Sequence, residues 1–185
     1  MSTGNEADLA LRMGVSGLVG VAFDEAQISA RVAELGEEIT DHYEGSDGLV
    51  VLGLLKGSFI FLADLVRRIE LPLEVDFLIA SSYGSSRHSS GEVEFLYDPQ
   101  VALGDRDVLL VEDIVDSGTT LERLIPLLEA KGPRSLEVCA FLHKRLATRA
   151  REPRWIGFEA PREFLVGYGL DHAQLSRHLP FIGSL

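Results

Sequence analysis

The segment Leu49-Val-Val-Leu-Gly-Leu-Leu55 carries no polar side chain in seven positions. A strand with one face in water alternates apolar and polar residues. An unbroken apolar run suits a strand covered on both faces, as in parallel sheets flanked by helices. Val75–Ala80, Asp107–Ile114 and Leu136–Leu142 read as further strands of this kind. The segments between them change period. Residues 24–44 place Ile28, Val32, Leu35, Ile39 and Tyr43 on one helical face. Asp24 and Gln27 are spaced as a capping box, and Phe23 stands where a hydrophobic staple begins. Phe59–Ile69 and the stretch after Asp116 predict two more helices. Pro126 should bend the latter or remove one of its hydrogen bonds. Glu92–Tyr97, Trp155–Phe158 and Phe164–Tyr168 are expected as shorter strands. This alternation predicts an α/β fold, a mainly parallel twisted sheet flanked by helices.

At 185 residues the chain has the length of one domain, 1–185, and no linker divides it. One cysteine forms no internal disulfide, and no Cys/His cluster has zinc spacing. The start is acidic and polar, unlike a secretory signal, and no apolar run reaches the roughly 18–20 residues of a membrane span. A cytoplasmic protein is the expectation. A net charge of −12 argues against a general nucleic-acid binder. The charge is uneven: residues 131–154 hold seven bases (Lys131, Arg134, Lys144, Arg145, Arg149, Arg151, Arg154) and two acids. That stretch is either a solvated or interface surface or an edge facing an anion.

Parallel sheets bind ligands beyond the C-terminal ends of their strands, and there lies the richest run, Val108–Leu121 (V-L-L-V-E-D-I-V-D-S-G-T-T-L). The strand delivers Glu112 and Asp113 to its tip. Asp116-Ser117-Gly118-Thr119-Thr120 then opens a helix. Small residues with a glycine let backbone N–H groups turn inward around an anion, and the helix N-terminus adds free donors. This predicts a cradle for one phosphate. The carboxylates would repel that phosphate; they suit hydroxyl groups or a hard cation such as Mg²⁺. A 5-phosphorylated ribose satisfies both halves. Gly53-Leu-Leu-Lys56-Gly57-Ser58 lacks the order and spacing of a P-loop, and no phospho-accepting Asp is placed as in a response-regulator receiver.

Val108–Leu121 resembles the phosphoribosyl-pyrophosphate (PRPP) motif of the type I phosphoribosyltransferases. Leu55–Ser58 (L-K-G-S), Ser81–Gly84 (S-S-Y-G), Lys144, Phe164–Asp171 (F-L-V-G-Y-G-L-D) and Arg177 resemble the hypoxanthine-guanine branch of that family, in order over residues 20–185. The resemblance implies a core over about 35–155 and a small hood formed by the N-terminal segment and about 156–185. It implies transfer of phosphoribose from PRPP to a purine, releasing pyrophosphate, with Mg²⁺. Glu112 and Asp113 would hold ribose hydroxyls and Mg²⁺, with Asp171 as a further Mg²⁺ ligand. Asp116–Thr120 would take the 5′-phosphate, with Asp116 also the general base near purine N7. Lys56-Gly57, often with a non-proline cis peptide, and Arg177 would meet pyrophosphate. Lys144 would donate to the purine 6-oxo group, Phe164 would stack on the base, and the Leu165 backbone would meet its edge. His172 replaces a common Tyr, and Thr119 a Lys found in some members.

Residues 81–92 are serine-rich, six of the first ten. They read as a flexible linker or as a lid closing with Ser82 and Tyr83, in which Arg87 and His88 would help neutralise pyrophosphate. Two alternatives to a hypoxanthine-guanine enzyme stay open. One is a regulator of the same fold that binds a nucleotide or RNA without turnover. The other is a transferase directed at xanthine or a pyrimidine. A homodimer or homotetramer is implied by resemblance only.

Overall fold

The computed structural model describes residues 9, 13, 15, 17–82, 93–145 and 151–185. Strands run β1 Gly20–Phe23, β2 Leu49–Leu54, β3 Leu73–Ser82, β4 Val93–Tyr97, β5 Asp107–Val115, β6 Ser135–His143, β7 Trp155–Glu159, β8 Leu165–Val166 and β9 Ile182–Ser184. Helices are α1 Glu25–His42, α2 Phe59–Val66 and α3 Thr119–Glu129. The main sheet has the order β4-β3-β2-β5-β6-β7. Five of its strands are mutually parallel, and β4 joins the β3 edge antiparallel. All six residues of β2 are buried, as its composition requires.

Odd and even positions of the strands feed two cores. On one face Leu49, Val51, Leu109 and Val111 pack with Phe61, Leu62 and Leu65 of α2 and Ile28, Val32, Leu35 and Ile39 of α1. On the other, Val50, Leu52, Leu110 and Val138 pack with Leu121, Leu124, Ile125 and Leu128 of α3. Helix α1 starts with the expected capping box. The Asp24 carboxylate accepts from Gln27 N–H at 2.8 Å, and the Gln27 side chain accepts from Asp24 N–H at 3.0 Å, a motif of about 1 kcal/mol. Phe23 stacks on Phe158, with ring centroids 4.2 Å apart.

Helix α3 runs through Pro126, which costs it one internal hydrogen bond. Helix α2 ends at Val66, short of the expected Ile69. The expected strand Phe164–Tyr168 shrinks to Leu165–Val166, because Gly167 at φ 98° and Tyr168 at φ 46° turn the chain away from an extended path. Strands β1 and β9 were not expected; with β8 they form a small antiparallel sheet in which β9 is central. Its own core holds Val166, Leu179 and Phe181.

Candidate active site

Strands β2 and β5 are neighbours, but their connections diverge. From β2 the chain crosses through α2 to β3 on one side; from β5 it crosses through α3 to β6 on the other, over the opposite face. Such a reversal of strand order opens a crevice at the strand C-termini. The exit of β2, the exit of β5 and the loop before β9 meet there.

The Leu55–Lys56 peptide is cis, and Gly57 follows it against the tip of β5. A Cβ at Gly57 would lie 1.6 Å from Asp113 Oδ2. On the other side a Cβ at Gly169, where φ is 102°, would lie 2.0 Å from Gly57 O. Only residues without side chains allow the three segments to approach this closely. The loop is braced internally: Arg177 Nη1 donates to Gly169 O at 2.7 Å, Arg177 Nη2 pairs with Asp171 Oδ1 at 2.6 Å, and Gln174 N–H donates to Asp171 Oδ2 at 2.8 Å. Lys56 Nζ reaches Gln174 Oε1 at 3.5 Å.

At the tip of β5, Glu112 is 5% exposed and its Oε2 has no hydrogen-bond partner among the described residues. Burial, and then the Asp113 charge, push its carboxyl up to about 8. Burial also pushes Asp113 up to about 6, opposed by N–H donors of Asp113 and Ile114 and by the Arg177 charge. A buried carboxyl with an orphaned atom and a half-buried one beside it fit hydroxyl groups or a hard cation. Among the described residues no three acids or histidines form a ready metal cage. Asp171 acts on Asp113 through its charge, while its own oxygens are engaged by Arg177 and Gln174. Mg²⁺ commonly takes one or two carboxylates and fills its shell with water and substrate phosphate, so the donor set fits Mg²⁺ that arrives with a phosphorylated ligand.

Beyond the carboxylates, residues 112–121 wrap a small cavity of about 70 Å³. Gly118, at φ 76°, is the N-cap of α3, and no side chain caps the helix. Thr119 N–H makes a long contact to Ser117 Oγ at 3.4 Å, and the following first-turn N–H groups stay available to an anion. The Ser117 and Thr119 hydroxyls stand 2.9 Å apart beside them. Asp116 does not cap the helix. Its exposed carboxylate stands 3.4 Å from Nζ of Lys144, which directly follows β6 and whose N–H binds Val115 O at the end of β5. Phe164 is 54% exposed and meets His172 edge-on at 5.6 Å, whereas Leu165 is buried.

The phosphoribosyl transferase domain model matches residues 23–173. The chain belongs to this family. The hypoxanthine phosphoribosyltransferase of Salmonella typhimurium is 46% identical over 169 residues, covering 90% of this chain and 95% of that one. The hypoxanthine-guanine phosphoribosyltransferase of Dictyostelium discoideum is 44% identical over 169 residues, covering 89% and 94%. A solved hypoxanthine-guanine phosphoribosyltransferase from Bacillus anthracis superposes with a TM-score of 0.85 at 39% identity, covering 91% of this chain and 99% of that chain.

Within this phosphoribosyltransferase fold, contacts link Lys56, Gly57, Asp113, Gly169, Asp171 and Arg177, and a second group joins Asp116, Lys144 and the Ser117–Thr120 turn. Phe164 is tied to the loop through His172. Ser82 ends β3 and its side chain is not described; Tyr83, Arg87 and His88 of the expected lid lie outside the described residues. Among its described residues the basic stretch 131–154 is paired with acids rather than open to an anion. Lys131 pairs with Asp98 at 2.6 Å, Arg134 with Asp47 and Asp107, Arg145 with Glu159, and Arg151 and Arg154 with Glu137; Arg149 is not described. Sequence reading missed Gln174, which joins Lys56 to Asp171. No local pattern marks a contact across so long a sequence separation.

Proposed function

We propose that this enzyme transfers the 5-phosphoribosyl group of PRPP to hypoxanthine or guanine, giving IMP or GMP and pyrophosphate in purine salvage. The observation that carries this reading is the tip of β5. Glu112, with an unpartnered oxygen, and Asp113 sit there directly before a small cavity at a helix start that no N-cap side chain closes, with Asp116 and Lys144 alongside.

In this reading the Ser117–Thr120 turn binds the 5′-phosphate and Glu112 and Asp113 bind the ribose hydroxyls. Lys56, the Gly57 backbone and Arg177 hold the pyrophosphate. Mg²⁺ held by Glu112 and Asp113 beside Asp171 would neutralise the departing pyrophosphate. Phe164 stacks on the purine and Leu165 meets its edge through the backbone. Lys144 donates to the 6-oxo group, so a 6-amino purine, lacking an acceptor there, is rejected. Asp116 takes the proton at N7 as the base bonds to C1′. Ser82 and Tyr83 close the site against water. We place the whole chain in one domain, a core with a hood built from β1, β8 and β9. We place the protein in the cytoplasm as a homodimer or homotetramer; no helix among the described residues is long and apolar enough to cross a membrane.

The test is nucleotide formation from PRPP and Mg²⁺ with hypoxanthine, guanine, xanthine, adenine and uracil in separate reactions. Turnover of hypoxanthine or guanine, abolished by chelation, is expected. Preference for xanthine or uracil would reassign the base, and no turnover in protein that still binds nucleotide would point to a regulator. Light scattering on the eluting protein reads the assembly.

A further inference from the structure

The loop carrying Asp171 and Arg177 needs an anchor outside itself. Its internal bonds fix its shape: Gly169 N–H to Arg177 O at 2.9 Å, Tyr168 N–H to Leu179 O at 2.9 Å, and the Arg177 and Gln174 contacts already given. Of these contacts, Lys56 Nζ to Gln174 Oε1 alone reaches the Lys56-Gly57 turn, and at 3.5 Å between exposed side chains it is a weak restraint. Gly169 touches Gly57 by backbone packing alone, which resists approach but not withdrawal.

A shorter, part-buried side-chain bond supplies a firmer restraint. Tyr168 Oη donates to Asp64 Oδ2 at 2.7 Å, across 104 positions of sequence. Asp64 stands in α2, the helix that follows the Lys56-Gly57 turn directly. That helix is held at its own start, where Ser58 Oγ donates to Leu54 O at 2.7 Å. Tyr168 is itself firmly placed. It is 6% exposed, its ring lies 4.9 Å from that of Phe141, and its backbone holds the left-handed φ of 46°. Burial, and then the Asp64 carboxylate, keep the phenol protonated and donating well above its ordinary range. Asp64 is fixed in turn by an ion pair with Arg67.

We propose that Tyr168 and Asp64 form a positioning pair that holds the Asp171–Arg177 loop at a fixed distance from the Lys56-Gly57 turn, and so sets the width of the pyrophosphate half of the site. The pair touches neither substrate. It acts through Arg177 and Lys56, and the inference rests on the reading that these two groups hold pyrophosphate. The purine half is held mainly from elsewhere: Lys144 N–H binds Val115 O, and Phe164 O accepts from Leu185 N–H, with the edge-on His172 ring joining Phe164 to the loop. Loss of the pair therefore weakens PRPP and spares the base. The two residues line a cleft of about 620 Å³, so removing the hydroxyl leaves no sealed void and Tyr168→Phe should fold.

The experiment compares Tyr168→Phe, Asp64→Ala, Asp64→Asn and the Tyr168→Phe/Asp64→Ala double variant with wild type. Steady-state kinetics with PRPP and hypoxanthine are combined with calorimetric titration of PRPP in Mg²⁺. Tyr168→Phe and Asp64→Ala should each raise the KM for PRPP about tenfold, the size of one hydrogen bond to a charged group. The KM for hypoxanthine should stay within twofold. Asp64→Asn keeps a carbonyl acceptor for the phenol and should stay within threefold of wild type. The double variant should be no worse than either single. An unchanged PRPP KM in Tyr168→Phe, equal rises in both KM values, or additive losses in the double variant would overturn the pair. Should wild type bind PRPP without turnover, the functional reading fails while calorimetry still decides the pair. Equal PRPP affinities of wild type and Tyr168→Phe would then reject it, and a tenfold difference would sustain it.

Discussion

At the first residue of β5, Asp107 accepts from Ser46 Oγ at 2.6 Å, Ser135 Oγ at 2.7 Å, and Arg134 Nε and Nη2 at 3.1 and 2.6 Å. These donors, Arg134 foremost, hold its carboxyl well below the usual range. Farther along the same strand Glu112 has an oxygen with no partner, and burial drives it the opposite way. Both ends present a carboxylate in one rigid strand, and they differ in the donors the chain supplies. At the N-terminal end of the sheet the bonds are complete and serve stability. At the C-terminal end one oxygen is left open, which costs stability and, in the proposed function, reserves it for a ligand.

The contrast can be broken or sharpened by substitution. Asp116→Asn, at the open end, should lower kcat by about 10²–10³-fold, the range of one acid–base group. The KM for PRPP and the melting temperature should barely change, since that side chain is 56% exposed. Glu112→Gln should raise the KM for PRPP at least about tenfold yet stabilise the ligand-free protein by about 1 kcal/mol, because it removes the cost of protonating a buried carboxyl that is ionised in the unfolded chain. A melting-temperature gain of about 2–4 °C would report this, and a loss would erase the distinction between the two ends. Asp107→Asn should do the reverse, lowering stability by about 2 kcal/mol in denaturant titrations with both KM values unchanged.

The smallest effect is in pH dependence, and its sign differs between the ends. The folded pKa of Asp107 lies below its ordinary 3.8. Its contribution is present above that value and is lost as pH falls through the depressed one. The folded pKa of Glu112 is raised from 4.5 to about 8. Its contribution is present below about pH 4.5 and is lost as pH rises through about 8. Thermal melts of ligand-free protein across pH should lose the acid-side slope in Asp107→Asn and the alkaline-side slope in Glu112→Gln.

Local chemistry explains what could be read before the fold was known. The Asp24–Gln27 box, the apolar run at Leu49 and the turn after Glu112-Asp113 each declare themselves within a few residues. What stayed hidden depends on tertiary partners. Strands β1 and β9 pair across nearly the whole chain, and a three- or four-residue strand shows too little alternation to recognise. The bases of 131–154 looked available because their acids, Asp47, Asp98 and Asp107 among them, lie elsewhere in sequence. Tyr168 read as part of a strand because nothing local signals its left-handed φ.

The pairing of β1 with β9 has a consequence for chain connectivity. Gly20 faces Ser184 directly in the ladder, so the segment between them already closes into a loop. The entropy of bringing those positions together is incurred in the native fold, and a short covalent bridge between them would add little further restraint. A circularly permuted chain, its order of synthesis rewritten and its new ends placed in an exposed turn, would still assemble the same crevice.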